Sequence, residues 1–196
     1  MTQTIAQQAV AQLFTQARSH HLWTDRSVSE ATLIELYDTM KWGPTAVNLA
    51  PGRFVFITSE AAKAKLYPHL MGSNVEQVRL APVTVIVAQD TRFFDHATRL
   101  FPAIDTTELF AGDAALSEAT AFRNSSLQGA YAILAARALG LDTCPMSGFD
   151  NNAIDEAFFA GISWRSNFIF TLGYGDHEKL YPRGPRLDFE EACRIA

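Results

Sequence analysis

Apolar residues recur along this 196-residue chain in two rhythms. Ile5, Ala9, Val10, Leu13, Phe14 and Ala17 fall at helical spacing and predict an amphipathic helix from Thr4 to Ala17. Ser27-Val28-Ser29-Glu30 has the form of a helix cap, and Leu33, Leu36, Tyr37 and Met40 continue on one face until Gly43-Pro44 halts the helix. Arg53 to Thr58 reads as a strand, after which Ser59 caps a short helix to about Leu66. Val83 to Ala88 is almost wholly apolar and β-branched, which suits a strand covered on both faces. From Thr91 to Leu116 no period survives, and Phe93, Phe94, Phe101 and Phe110 are scattered through a loop-like stretch. A long helix follows from about Ala114 to Leu139, with Gly140 placed as its stop. Beyond Leu127 that helix is apolar nearly all round, which predicts a place at the centre of the core. A strand at Asn167 to Leu172 and a short helix after Asp188 complete the pattern. With no repeat or linker, the chain reads as a single domain over residues 1–196, of α+β or α/β layers.

Composition narrows the function. Hydrophobic residues make up 48% and charged ones 19%, as in an ordinary globular protein. The net charge of −5 leaves no basic excess for a phosphate backbone, so nucleic acid is not an expected partner. Met1 to Ala17 lacks the basic start and apolar block of a signal peptide, and Leu80 to Val87 falls short of the about 20 residues needed to cross a bilayer. No membrane association is expected, and the chain reads as cytoplasmic. Cys144 and Cys193 are too few for a disulfide scaffold and are expected to be two inert, buried thiols.

Recognisable side-chain catalysis is missing. The sequence has no Gly-x-Ser-x-Gly elbow, no Walker loop and no Cys-x-x-Cys pair. None of the five histidines has a partner four residues away, so the expected metal ligands are none. Gly173-Tyr174-Gly175 lacks the third glycine of a dinucleotide fingerprint. Such a chain, if an enzyme, needs a cofactor to carry the reaction.

Four segments offer binding groups. Arg18-Ser19-His20-His21-Leu22-Trp23 has an arginine fork and a hydroxyl suited to phosphate, and reads equally as a cation-stabilised helix end. Trp42 to Gly52 holds two prolines and two glycines around Thr45 and Asn48, which either read a heterocycle or close a turn. In Cys144 to Asp150, Gly148 permits close backbone approach to a ligand, or is simple turn chemistry. Tyr181 to Arg186 holds two arginines in a proline-stiffened segment, an anion site or a solvated basic loop.

Taken in order, Arg18-Ser19-x-His21-x-Trp23, Gly43-Pro44-Thr45-x-x-Asn48, Ala81-Pro82, Pro145-x-Ser147-Gly148-Phe149-Asp150, Gly173-Tyr174-Gly175 and Arg183-x-x-Arg186 resemble the FMN-dependent nitroreductase superfamily. Within it, the chain is similar to the malonic semialdehyde reductase and NADH dehydrogenase/NAD(P)H nitroreductase branch, from about Phe14 to Glu191. The resemblance implies a three-layer α+β fold, a central mostly antiparallel sheet flanked by helices, and a homodimer with FMN between subunits. It implies that Arg18, Ser19 and His20 meet the flavin from one side and that Arg183 and Arg186 grip its phosphate. Pro44, Thr45 and Asn48 would come from the other subunit. Pro145, Met146, Ser147 and Gly148 would line the ring, with Asn74 and Gln77 near its pyrimidine edge or ribityl chain.

The implied activity is an oxidoreductase with ping-pong hydride transfer from NADH or NADPH through flavin N5, near Ser147 and Gly148, with no catalytic side chain. A small molecule accepts the hydride, 3-oxopropanoate going to 3-hydroxypropanoate; nitroaromatics and quinones are the alternatives on this fold. A non-catalytic flavin-binding or flavin-sensing protein is the alternative of another class. Two positions depart from the pattern: His21 stands where an arginine is usual, and Gln77 where lysine is frequent, so this flavin would be less easily reduced.

Overall fold

The computed structural model describes residues 3–196; Met1 and Thr2, the start of the expected 1–196 domain, lie outside the described residues. Four strands form one sheet: β1 (Gly52–Ile57), β2 (Val83–Asp90), β3 (Asp142–Met146) and β4 (Trp164–Gly173), in the order β1-β2-β4-β3. Every pair is antiparallel. Helices α1 (Gln7–Val10), α2 (Glu30–Met40), α3 (Glu60–Leu66), α4 (Asn74–Leu80), α5 (Ala97–Leu100), α6 (Thr107–Ala111), α7 (Ala114–Ala138), α8 (Asn151–Phe159) and α9 (Phe189–Ala192) surround it. No helix among the described residues is long and apolar enough to cross a membrane.

The period-2 geometry of the central strands divides the core into two layers. Val83, Val85 and Val87 of β2 with Phe170 and Leu172 of β4 pack against Leu33, Leu36 and Met40 of α2 and Ala132, Ala135 and Ala136 of α7. Ile86 and Ala88 with Ile169 face the other way, against Leu66, Val78, Ile154 and Phe159. Every residue of β2 is buried, as an apolar run flanked by strands and covered on both faces should be. Ser29 caps α2 by accepting from the Thr32 amide at 3.1 Å. Ser59 and Asp113 cap α3 and α7 in the same way.

Three expectations need correction. The N-terminal helix is shorter than Thr4 to Ala17: one α-helical turn at Gln7–Val10 runs on into a wider helical turn at Ala11–Thr15, with no residue buried, and Gln12 and the Leu13 carbonyl bond it to Arg137 at the end of α7. Helix α7 is not enclosed. The face it turns to the sheet is small and polar, including Ser117, Asn124, Gln128 and Ala132, whereas Leu116, Phe122 and Leu127 are exposed. Thr91 to Leu116 is no loop: Phe93, Phe94 and Phe110 join Leu49, Ala97 and Ala121 in a third small core. Phe93 and Phe110 meet edge to face at 5.0 Å between ring centroids.

Candidate functional site

The motif residues assemble at two edges of the sheet. At the β3 edge, Ser19 pairs with Thr143 as a short parallel bridge, and the His20 amide donates to the Thr143 carbonyl at 3.2 Å. Segment 18–23 is thus laid along β3 by backbone hydrogen bonds. The Arg18 guanidinium donates to the Tyr181 carbonyl, and Arg183 Nη2 donates to the Ala17 carbonyl at 3.0 Å. Each of these arginines holds the other's segment, so two cations from opposite ends of the chain converge. Arg186 does not join them: it is exposed and bonds only the carbonyls of Gly184 and Pro185.

Farther along the same strand lies the end of β3. Asn74 Nδ2 and the Met71 amide both donate to the Gly148 carbonyl, each at 2.9 Å, which fixes the loop after the strand. The amides of Ser147 and Gly148 donate to nothing among the described residues. Two adjacent N–H groups without a partner form a ready site for an electron-rich atom. Gly148 is needed for this packing, since a Cβ there would stand 2.7 Å from Asn74 Nδ2. Gln77 is half-buried, and its Oε1 accepts from Cys144 Sγ at 3.3 Å.

Two expected contacts turn away from the site. The His20 ring is buried (1% exposed) beneath Trp23, Asp142 and His177, because the strand-like run of segment 18–23 sends alternate side chains inward. His21 points outward instead, packing edge to face on Tyr181 at 5.1 Å with Nδ1 3.7 Å from Cys144 Sγ. Met146 likewise joins Cys144 in the core, two residues apart on one face of β3, while Pro145 between them is exposed. Only the backbone of Met146 is left for a ligand.

At the β1 edge, the loop from Pro44 to Pro51 is held from α7. Asn124 Oδ1 accepts from the Ala46 amide at 2.8 Å, Gln128 Oε1 from the Gly52 amide at 2.7 Å, and the Tyr131 hydroxyl donates to the Pro44 carbonyl at 3.0 Å. Residues 124, 128 and 131 share one helix face, and their spacing of four and three is the signal by which the sequence could show them. Thr45 Oγ1 accepts from the Ala50 amide, and Asn48 Nδ2 donates to the Leu100 carbonyl. These bonds sustain left-handed φ values at Val47 (43°), Asn48 (56°) and Ala50 (40°). Such conformations cost of order 1–3 kcal/mol each for side chains like valine and cluster at functional sites.

The two edges are separated by β2 and β4, so three strand spacings, roughly 14 Å, lie between them. A separate cavity of about 740 Å3 opens between α7 and the ends of β2 and β4, lined by Gln89, Phe94, Phe110, Phe122, Asn151 and Arg165 among others; none of the motif residues lines it.

Both cysteines are free, Cys144 buried and Cys193 exposed, so the expectation of two buried thiols holds for one. Burial pushes the Cys144 thiol up to about 11, leaving about one thiolate per thousand at pH 8. Titration of the native protein with a disulfide reagent at pH 8 should therefore register one fast thiol per chain. That thiol should vanish in Cys193→Ser, and denaturation should expose the second. Fast reaction of native Cys193→Ser would refute the burial of Cys144.

Residues 15–174 match the nitroreductase family. A chain from Burkholderia lata, provisionally named an NADH dehydrogenase/NAD(P)H nitroreductase, is 55% identical over 192 residues, 98% of each chain. One from Rhodopseudomonas palustris with the same provisional name is 54% identical over 195 residues, covering 100% of each chain. Among solved structures, a provisionally assigned nitroreductase from Bacillus subtilis superposes with a TM-score of 0.88 at 22% identity, over 97% of this chain and 100% of that one. Another, from Exiguobacterium sibiricum and determined in complex with FMN, gives 0.83 at 23% identity, covering 100% of both chains. These structures bear on the fold, and the close relatives on the family: the chain belongs to the nitroreductase family.

Proposed function

We propose that this protein is an FMN-dependent NAD(P)H oxidoreductase that works as a cytoplasmic homodimer and reduces 3-oxopropanoate to 3-hydroxypropanoate. The observation that carries the reading is the pairing of two converging arginines, Arg18 and Arg183, with two partnerless amides, Ser147 and Gly148, on the same sheet edge. That donor set fits FMN: a phosphate asks for planar cationic donors, and a flavin ring asks for backbone N–H groups that need no reorganisation. When bound, FMN supplies the two-electron chemistry that this chain's side chains lack.

The chain's own residues have distinct tasks. Arg18 and Arg183 take the phosphate, with the Ser19 hydroxyl beside them; Arg186 lies on the same arm, free to be recruited. Asn74 fixes the Gly148 loop so that its amides stay aimed, and Gln77 lies behind it against Cys144. Gln77 brings no charge, so it stabilises an anionic ring less than a lysine would. Pro44, Thr45 and Asn48 sit on the far edge of the sheet, and a second copy is the simplest way to bring that loop to the first edge. The exposed apolar face of α7 supports this assembly.

The test is anaerobic. Protein loaded with FMN should lose its yellow absorbance on addition of NADH or NADPH and recover it on addition of 3-oxopropanoate. Recovery only with a nitroaromatic or a quinone would replace the substrate and keep the enzyme class. Failure of both nicotinamides to bleach the bound flavin would leave a flavin-binding protein without turnover.

A further inference from the structure

We propose that His20, Asp142 and His177 form a binding site for one divalent transition-metal ion, best matched by Zn2+, that fastens the C-terminal arm to the sheet edge. His20 Nε2 lies 3.3 Å from Asp142 Oδ1, and His177 Nε2 lies 3.6 Å from Asp142 Oδ2. All three ligand atoms fall within 4.8 Å of one another. Ligands held tetrahedrally about 2.0–2.1 Å from zinc stand roughly 3.3–3.4 Å apart, so the His20–Asp142 separation already matches that polyhedron, while His177 faces the other carboxylate oxygen. His177 would complete the set by a swing of its side chain, which is 71% exposed on the turn His177–Lys179. Two imidazoles and one carboxylate are a donor set that zinc accepts readily.

The second observation is His20 itself. Its ring is buried, and neither nitrogen makes a well-formed hydrogen bond, although the Asp142 carboxylate stands 3.3 Å from Nε2. A buried imidazole whose polar contacts are imperfect costs free energy that a bound ion would offset. The surroundings are built to hold these groups. The Gly175 amide donates to Asp142 Oδ2 at 3.0 Å and orients the carboxylate. Gly175 has no side chain because a Cβ there would stand 2.0 Å from His20 Nδ1. A polar cavity of about 300 Å3, lined by Gln12, Gln16, Asp142 and His177 among others, leaves room for water at a fourth position.

Two cations oppose the site, Arg18 near His20 and Arg137 near Asp142. Both guanidiniums are engaged elsewhere, on the Tyr181 and Leu13 carbonyls, so they lower the affinity without occupying the ligand atoms. The three ligands come from segment 18–23, the start of β3 and the arm after β4. An ion shared among them would therefore pin the arm that carries Tyr181 and Arg183.

Tag-free protein stripped with a chelator and titrated with Zn2+ alone should bind one ion per chain and melt at a higher temperature with the ion than without. His177→Ala, an exposed change that leaves the fold intact, should weaken the affinity roughly 100-fold and abolish the melting shift. Asp142→Asn should do the same. Substitution by Co2+ should give a spectrum without a thiolate charge-transfer band. Zn2+ binding that is absent at millimolar concentration, binding unchanged in His177→Ala, or a thiolate band from Cys144 or Cys193 would each overturn the assignment.

Discussion

Phe122→Asp combined with Leu127→Asp should yield a folded monomer that retains FMN at least about 100-fold less well than the unaltered protein. Phe122 is 55% exposed and Leu127 42% exposed on α7, and Ala119 and Ala130 extend the same apolar surface. Exposed large apolar side chains in one contiguous strip mark an interaction surface. Covering the exposed half of each contributes roughly 1 kcal/mol per chain, and a twofold interface counts every contact twice. Two aspartates on that surface also leave charges to be desolvated without partners. In the proposed assembly the Pro44 to Pro51 loop, held on α7 through Asn124, Gln128 and Tyr131, completes the flavin site of the second copy, so loss of the dimer would remove that edge. Sedimentation and the flavin absorbance that survives gel filtration measure both effects, with circular dichroism as the check on folding. A yellow dimer in the double variant would place the interface elsewhere.

Phe170→Ala should lower the stability of the flavin-free protein by about 3–5 kcal/mol. Phe170 is fully buried on β4, between its partners Val85 on β2 and Pro145 on β3, and packs into the layer under α2 and α7. The cavity forms where neighbouring strands and helices cannot collapse without breaking sheet register. Against a typical total of about 5–15 kcal/mol, a loss of this size shifts the urea midpoint far down. Trp42→Ala, at a side chain 80% exposed, is the control and should change stability by less than about 0.5 kcal/mol. Equal effects from the two would mean that the β4 layer is not the core.

Legibility followed the source of each element's stability. The strands Gly52–Ile57 and Val83–Asp90 and the helix Ala114–Ala138 carry their signals within themselves, and the structure shifts their ends by a few residues. β3 hid behind Pro145, which removes a ladder donor; the structure tolerates it because β4 is the only named strand beside β3 and the bridge to Ser19 on its other side is at Thr143, clear of Pro145. The N-terminal segment had the right period, and the structure keeps it helical from Gln7 to Thr15, tied to the end of α7 through Gln12 and Arg137. Phe93, Phe94 and Phe110 show no period because they converge from two short helical pieces, Phe93–His96 and Thr107–Ala111, and make sense only in contact.

For the candidate site, the sequence named the segments: the Arg18-Ser19 run, the Pro44 to Asn48 loop, the Ser147-Gly148 turn and the C-terminal arginines, of which Arg186 stays exposed and apart from Arg18. Direction and distance came only with the tertiary structure. Strand alternation decided that His20 turns inward and His21 outward, and that Met146 serves the core while Pro145 is exposed. Sheet topology decided that the two halves of the motif set lie on opposite edges. The same folding gathered His20, Asp142 and His177 from three remote segments, a constellation no local spacing rule could show. A sequence specifies local propensity and burial through short-range patterns. Which side chains face one another depends on strand order and register, and these are settled only when the whole core is packed.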